Sequence, residues 1–504
     1  MATRNTVGEI NWFAVAKHGS TTEAAGSPFA QVGHRLVNGR SADSGVFAGW
    51  RWDGTRLTIS NDRYGFSPLF WSRMPDDGVC VSPSLVTLIE QGTSTDLDVE
   101  ALSVFFKLGF FIGDDTPFAA IKAVPPNARF EWQDGKLECR GNYPQPVRPS
   151  TLSRDDAIDR YSELFAQAMA RRAPVGRFAL PISGGRDSRH ILLELHRTGH
   201  RPDICVSIRD FPPDSSRDPE IAAALCAELG FEHVTIGQRL PLMESHLRWN
   251  RETDFCYVAN GWFLAMADYL GGRFECLYDG IAGDTLSQSS YLTVELRDAF
   301  RARNPGAIRN GLAKFGFDHS VLRSLLRGPL RDALDSSLAM ERLSKEIERH
   351  LGAPNPIASF VFWNRTRRKI ALNAYAVLRR VPRVYSPFLD HDLFDFLMSL
   401  PADVLADRTF HDDTIARTYP RYAHVPYAGH EYAAPAKDRR ALSSFASDAL
   451  RRFMLRRPSS LTRYAAPRMK MLACALSGGR ISPYISPLLI YVDQLERLME
   501  GTDR

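Results

Sequence analysis

Ser183-Gly184-Gly185-Arg186-Asp187-Ser188 carries the most readable chemistry of this 504-residue sequence. An apolar run, Phe178 to Ile182, precedes it as a short buried strand, and a helix with apolar positions Ile191, Leu192 and Leu195 follows until Gly199. Small residues at a strand-to-helix turn let backbone N–H groups approach phosphate oxygens, and the helix N-terminus directs its positive dipole end at the same place. No Lys follows the glycines, so the common Walker loop is excluded. Asp187 stands at the mouth, where a carboxylate repels phosphate unless a divalent cation lies between them; magnesium-bound nucleotide is therefore the expected ligand. The competing reading is a small-residue turn with a helix-capping Asp. A second Ser-Gly-Gly-Arg, at 477–480, lacks the Asp and Ser, follows a helical segment and reads as a loop.

The elements that must position this loop follow from pattern. Residues 143–153 contain three prolines and read as a stiff, extended linker between two halves. Before it, strand-like runs at Gly45–Trp52, Arg56–Ser60, Pro68–Ser72, Val79–Ser82 and Ala128–Trp132 alternate with turn formers, and only Val86–Glu90 and Val99–Leu108 look helical. After it, strands at Phe178–Ile182, Asp203–Ile208, His233–Ile236 and Phe274–Tyr278 alternate with helices at Arg154–Arg172, Arg189–Thr198 and Pro219–Leu229. Such alternation predicts a parallel sheet covered by helices on both faces, with loops at the strand C-terminal ends around one crevice. Asp187 and Asp284 both fall on such loops. From about residue 290 the sequence reads chiefly as helices.

Composition bounds the function. The 63 Lys and Arg against 58 Asp and Glu give no general case for a nucleic-acid partner. Basic residues gather at Arg451, Arg452, Arg456, Arg457, Arg463, Arg468 and Lys470, as a solvated helix face or a site for an acidic partner. Seven scattered cysteines, never spaced Cys-Xaa-Xaa-Cys, point to reduced thiols in a cytoplasm and away from a zinc site. The N-terminus lacks an apolar core of signal-peptide length and no segment is long enough for a membrane span, so no membrane partner is expected.

Ser-Gly-Gly-Xaa-Asp-Ser after a strand resembles the pyrophosphate-binding loop of the ATP pyrophosphatases, which cleave ATP between the α and β phosphates. Further segments, in one order, are similar to the asparagine synthetases. Residues 47–71, with Asn-Asp-Arg-Tyr-Gly-Phe-Ser-Pro-Leu-Phe-Trp, and residues 115–126 look like their glutaminase domain; 220–233, 280–284 and 383–391 look like their synthetase domain. The resemblance implies an α/β chain: an Ntn-hydrolase-like antiparallel β domain over 1–147, then a doubly wound, adenine nucleotide α-hydrolase-like parallel sheet with a helical extension over 152–504.

It also implies chemistry. Ser183, Gly184, Gly185, Asp187, Ser188 and Gly280 would hold ATP, and Asp187 and Asp284 would bind Mg2+. A substrate carboxylate, on a small molecule or peptide, would attack the α-phosphorus and an amine would then displace AMP. Relatives steady the developing oxyanion with a late Lys; Lys437 lies in that region, without a flanking match, and an ordinary surface Lys is the alternative. Arg367, Arg368 and Lys369 form a basic cluster on a predicted helix, read equally as phosphate contact or solvated face.

Departures are informative. Glutamine-dependent members carry a nucleophilic Cys at position 2, where this chain has Ala, so glutamine hydrolysis is not expected, as in β-lactam synthetases and lasso-peptide cyclases. Ile281 stands where relatives have Glu or Tyr to assist the amine, and Thr285 replaces the usual Glu. An intramolecular lactam or macrolactam, with a partner protein of a biosynthetic cluster as a further expectation, is the sharper reading; amidation of a sugar or peptide carboxylate is the broader one. A noncatalytic descendant and an adenylating sulfurtransferase are the alternatives.

Overall fold

Short apolar–polar alternations between tight turns build the N-terminal half. Along β5 (Arg56–Asn61) Leu57, Ile59 and Asn61 point inward while the residues between them face outward. The computed structural model describes residues 11–36, 44–141, 143–209, 218–258, 260–288, 291–313, 316–427, 439–454, 459–481 and 487–501. Among the described residues ten strands precede residue 141: β1 (Phe13–His18), β2 (Thr21–Gly26), β3 (Phe29–Arg35), β4 (Gly45–Trp52), β5, β6 (Phe70–Met74), β7 (Gly78–Ser82), β8 (Ile121–Ala123), β9 (Arg129–Gln133) and β10 (Lys136–Arg140). They form two antiparallel five-stranded sheets, ordered β2-β1-β7-β6-β8 and β10-β9-β5-β4-β3. Phe13, Trp50, Leu57, Val81, Phe130 and Trp132 fill the core shared by the sheets. Helices α1 (Leu85–Glu90) and α2 (Val99–Leu108) follow β7, and Asp98 caps α2 by accepting the Ala101 N–H at 3.0 Å.

The second half alternates as α3 (Arg154–Ala170), β11 (Phe178–Pro181), α4 (Asp187–Arg197), β12 (Ile204–Ile208), α5 (Asp218–Glu228) and β13 (His233–Ile236), with β14 (Cys276–Tyr278) and β15 (Arg383–Tyr385) later. Its five strands are parallel in the order β13-β12-β11-β14-β15. The order runs outward from β11 in one direction and then resumes from β11 in the other, so the chain reverses between β11 and β14. Loops leaving the carboxyl ends of those two strands diverge there and leave a crevice. The chain is chiefly helical from 284 onward, and among the described residues no helix is long and apolar enough to cross a membrane.

The two halves share polar contacts, some of them buried. Asp254 accepts the Ser84 hydroxyl at 2.6 Å and the Leu85 N–H at 2.9 Å. Gly113 donates its N–H to Asn364 Oδ1 at 2.8 Å, and Arg63 pairs with Asp395 at 3.0 Å. Arg367 donates to the Gly113 and Val124 carbonyls and to Asp114, while Arg368 donates to the Asp115 carbonyl. Both arginines are buried, which corrects the two readings for them, though not for the half-buried Lys369: they are neither solvated nor turned toward phosphate, and join the halves instead. Segment 143–153 hugs the second half, with Tyr143 buried against Trp363 and the Ser150 N–H bonded to the Ser399 carbonyl at 2.8 Å. In the C-terminal basic stretch, Arg452 pairs with Asp493 at 2.8 Å and Arg451 is exposed; Arg456 and Arg457 lie outside the described residues.

Candidate functional site

Pro181 ends β11 and α4 begins at Asp187, so the loop between them stands at the carboxyl edge of the central strand. Its amides already hold oxygen ligands. Gly184 N–H donates to the Asp218 carboxylate at 3.2 Å, Gly185 N–H to Ser183 Oγ at 3.1 Å, and Ser183 N–H to Ser188 Oγ at 3.2 Å. The Gly184 amide, just ahead of the α4 N-terminus, thus already holds a carboxylate oxygen, and amides so placed suit anions. Burial pushes the Asp218 carboxyl above its ordinary range.

The loop after β14 reaches over from the neighbouring strand. Asp279 starts it, donating its N–H to the Tyr385 carbonyl at 2.8 Å and accepting that of Ile281 at 2.8 Å; burial pushes its pKa up to about 6. Ala282 adopts a left-handed conformation with φ 76°, a strained choice for a residue with a Cβ, and the turn lays Gly280 and Gly283 against Asp187. A Cβ on Gly280 would lie 2.6 Å from Asp187 Cβ, and one on Gly283 would lie 2.5 Å from Asp187 Cγ. Gly280 thus supplies the space in which Asp187 sits. Ile281 is buried in the core and offers the crevice no proton acceptor.

Asp187 and Asp284 therefore meet. The Asp284 N–H donates to Asp187 Oδ2 at 3.0 Å, while Asp187 Oδ1 is buried without a hydrogen-bond partner. Burial, with the Asp284 charge next, holds the Asp187 carboxyl well above the usual range. Behind it, His411 Nδ1 lies 3.4 Å from Asp187 Oδ1 and 2.9 Å from Ser287 Oγ, and its Nε2 lies 3.1 Å from His190 Nδ1. Burial depresses His411 to about 3, so the imidazole is neutral and offsets none of the carboxylate charge. Arg186, the one cation inside the loop, is engaged by Asp412 at 2.8 Å. Thr285 donates to Asp284 Oδ1 at 3.2 Å.

An unpartnered buried carboxylate oxygen beside a second carboxylate fits a hard divalent cation. Magnesium takes one or two protein carboxylates and completes its shell with phosphate and water oxygens. Among the described residues no cluster of three or more acidic, His or Cys side chains suits a metal held by protein alone. Sequence reasoning missed Asp218, His411 and Asp412; no spacing relation links them to the loop, and only the fold brings them to it. Lys437 lies outside the described residues. The described chain before it ends at Tyr427, whose ring carries the Arg189 guanidinium at 4.0 Å and that of Arg186 at 4.7 Å.

Gly283→Ala tests the contact between the two loops. The added methyl forces Asp187 to turn, and a displacement of about 1 Å in a positioning group costs up to ~100-fold in rate. We expect turnover to fall by roughly tenfold or more, with a stability loss of about 1–3 kcal/mol from overpacking. Steady-state kinetics and thermal melting of the variant check this, and unchanged turnover would contradict it.

Residues 16–143 match the glutamine amidotransferase domain family. No curated protein matches the chain. Among solved structures it is similar to NMN synthetase from Francisella tularensis, with 16% identity over 39% of this chain and 94% of that one and a TM-score of 0.21. It is also similar to NAD+ synthetase from Burkholderia pseudomallei, at 17% identity, 54% and 91% coverage and a TM-score of 0.18. Glutamine phosphoribosylpyrophosphate amidotransferase from B. subtilis gives 10%, 55%, 71% and 0.17. The amidotransferase match stops at residue 143 and leaves the crevice of the parallel sheet to be read from its own geometry.

Proposed function

We propose that the chain is an ATP-dependent ligase of the asparagine-synthetase kind, which adenylates a carboxylate, releases pyrophosphate and joins the acyl group to an amine. The observation that carries the reading is the meeting of Asp187 and Asp284 at the reversal point of the sheet, beside a loop whose Gly184 amide already grips a carboxylate oxygen. Residues 1–147 are read as a glutaminase-like scaffold and 152–504 as the ligase part.

The amides of Ser183, Gly184 and Gly185, freed from their present oxygen partners, would hold the β- and γ-phosphates, with the α4 dipole behind them. Asp187 and Asp284 would hold magnesium, which offsets negative charge on the departing pyrophosphate. The substrate carboxylate oxygen forms a bond to the α-phosphorus as the bond between the α-phosphorus and the bridging oxygen breaks. An amine nitrogen then attacks the acyl carbon, the carbon–oxygen bond to AMP breaks, and the amine loses a proton. Ile281 cannot accept that proton, so a group on the substrate or elsewhere in the crevice must.

Glutamine is not the nitrogen source in this reading. Between residues 11 and 141 the cysteines are Cys80 and Cys139. Cys80 is buried in β7, which pushes its thiol up to about 12, and burial also raises that of Cys139 on β10; neither is primed as a nucleophile. The amine is then free ammonia, a second substrate or a group on the same molecule, which would give a lactam or macrolactam.

Hydroxylamine trapping tests the activation step. With magnesium, ATP and a panel of carboxylic acids and peptides, the wild-type protein should form a hydroxamate from at least one acid, in step with pyrophosphate release. ATP consumption that yields pyrophosphate without hydroxamate from any acid would contradict carboxylate activation.

A further inference from the structure

Helix 361–370, wound with wide i→i+5 turns, carries two cations that the reaction above leaves unused. Its neighbours Arg367 and Arg368 are spent on the N-terminal half. Arg365 and Lys369, four residues apart, are half-buried, and neither has a carboxylate partner among the described residues. The helix is joined to the site by Thr366, whose Oγ1 lies 3.2 Å from Thr285 Oγ1, the hydroxyl that also donates to Asp284. The Arg365 guanidinium lies 4.7 Å from the Tyr291 ring centre, and Lys369 Nζ lies 4.8 Å from that of Tyr257. Burial, with Arg365 adding its own charge, pushes Lys369 down to about 8. Two neighbouring cations, partly desolvated and without a carboxylate in ion-pair contact among the described residues, are costly unless an anion joins them; the acidic charge sensed at Tyr291 is that of Asp284.

We propose that Arg365 and Lys369 form a pocket that anchors a carboxylate of the substrate, distinct from the carboxylate that is activated, with Tyr257 and Tyr291 beside it. This rests on the ligase reading only for what the occupant does next. A carboxylate gripped by a guanidinium and an ammonium is stabilised as an anion and weakened as a nucleophile, so the group held here is not the one that attacks phosphorus. The substrate class that follows is an amino acid, a dicarboxylic acid or a peptide with an additional carboxylate. Nucleotide phosphates have their own amide donors at Ser183–Gly185, whereas the flat fork of Arg365 suits a planar carboxylate.

Lys369 reports on its own pocket, because an amine of depressed pKa reacts early with acetic anhydride. The full-length protein is acetylated near pH 8 alone, with succinate, with inorganic phosphate and with magnesium ATP, and the Lys369 peptide is quantified by mass spectrometry. Succinate should slow modification of Lys369 severalfold. Arg365→Gln should abolish that protection and Arg365→Lys should retain part of it, with melting temperatures confirming that both variants fold. Equal labelling with and without succinate would overturn the proposal, as would protection by phosphate or magnesium ATP but not by succinate. Nucleotide binding is measured on the same samples by equilibrium dialysis: protection by succinate without any ATP binding would uphold the pocket and sink the ligase reading.

Discussion

Asp187→Asn is expected to cut pyrophosphate release by roughly a hundredfold to a thousandfold, the scale seen when one preorganised charge-stabilising group is removed from an active site. The same change should leave the fold no less stable. Asn retains the shape of the side chain and can still accept the Asp284 N–H that now reaches Asp187 Oδ2 at 3.0 Å. What it removes is a buried charge beside Asp284 and Asp279, in a place where His411 is neutral and Arg186 is engaged by Asp412. A group that destabilises the native state while serving the chemistry is a common stability–activity trade-off. Magnesium separates this account from simple damage. Magnesium with ATP should raise the wild-type melting temperature, a stabilisation of about 2.7 kcal/mol at a hundredfold excess over Kd, and should do much less for the variant. Equal shifts for both proteins would show that Asp187 holds no cation.

The second large effect lies beneath the site. Asp390 is buried at 4% exposure and accepts from Arg171 at 2.5 Å and Arg172 at 2.9 Å; it also caps the helix His391–Ser399 through the Asp392 N–H. Arg172 is itself buried, and its carbonyl accepts the hydroxyl of Tyr278, the last residue of β14 before the Asp279–Asp284 loop. Asp390→Ala leaves the Arg172 charge buried with only the Ala168 carbonyl at 3.0 Å, and should cost roughly 3–5 kcal/mol in denaturant unfolding. Near-wild-type stability would contradict this. Burial raises the Asp390 carboxyl, but Arg172 and Arg171 more than reverse that, so its pKa lies below the ordinary 3.8. A depressed carboxyl stabilises the fold above its unfolded pKa and ceases to do so as pH falls through the folded value. The wild-type advantage over Asp390→Ala should therefore hold at neutral pH and shrink below about pH 4.

Much of the fold was legible because the elements that shape the crevice carry strong local signals. The runs Gly45–Trp52, Val99–Leu108 and His233–Ile236 have apolar cores between clear turn formers, and the structure gives them those same bounds. Thr21–Gly26 had no such signal: β2 is exposed at every position, and its pairing with β1, rather than its side chains, makes it a strand. Arg383–Tyr385 is only three residues long and becomes a strand by pairing in parallel with β14. Around the site, the strand-to-helix turn at 183–188 was readable because the apolar run before it and the helically spaced apolar residues after it are both local signals. The partners of Arg367 and Arg368 were not readable, since the carbonyls of Gly113, Asp115 and Val124 lie some 250 positions away in the chain. The same holds for Asp218, which reaches the Gly184 amide from the start of α5, and for His411 behind Asp187. Backbone acceptors and long-range packing leave no mark in a local pattern, whereas turn chemistry does.

The central claim is that the crevice between β11 and β14 splits ATP between its α and β phosphates. The most direct measurement is product analysis with α-labelled ATP, magnesium and the full-length protein in an extract that supplies acids and amines. The account predicts labelled AMP and an equal amount of pyrophosphate, both lost in Asp187→Asn. Labelled ADP as the product, or AMP formation unchanged in Asp187→Asn, would contradict it.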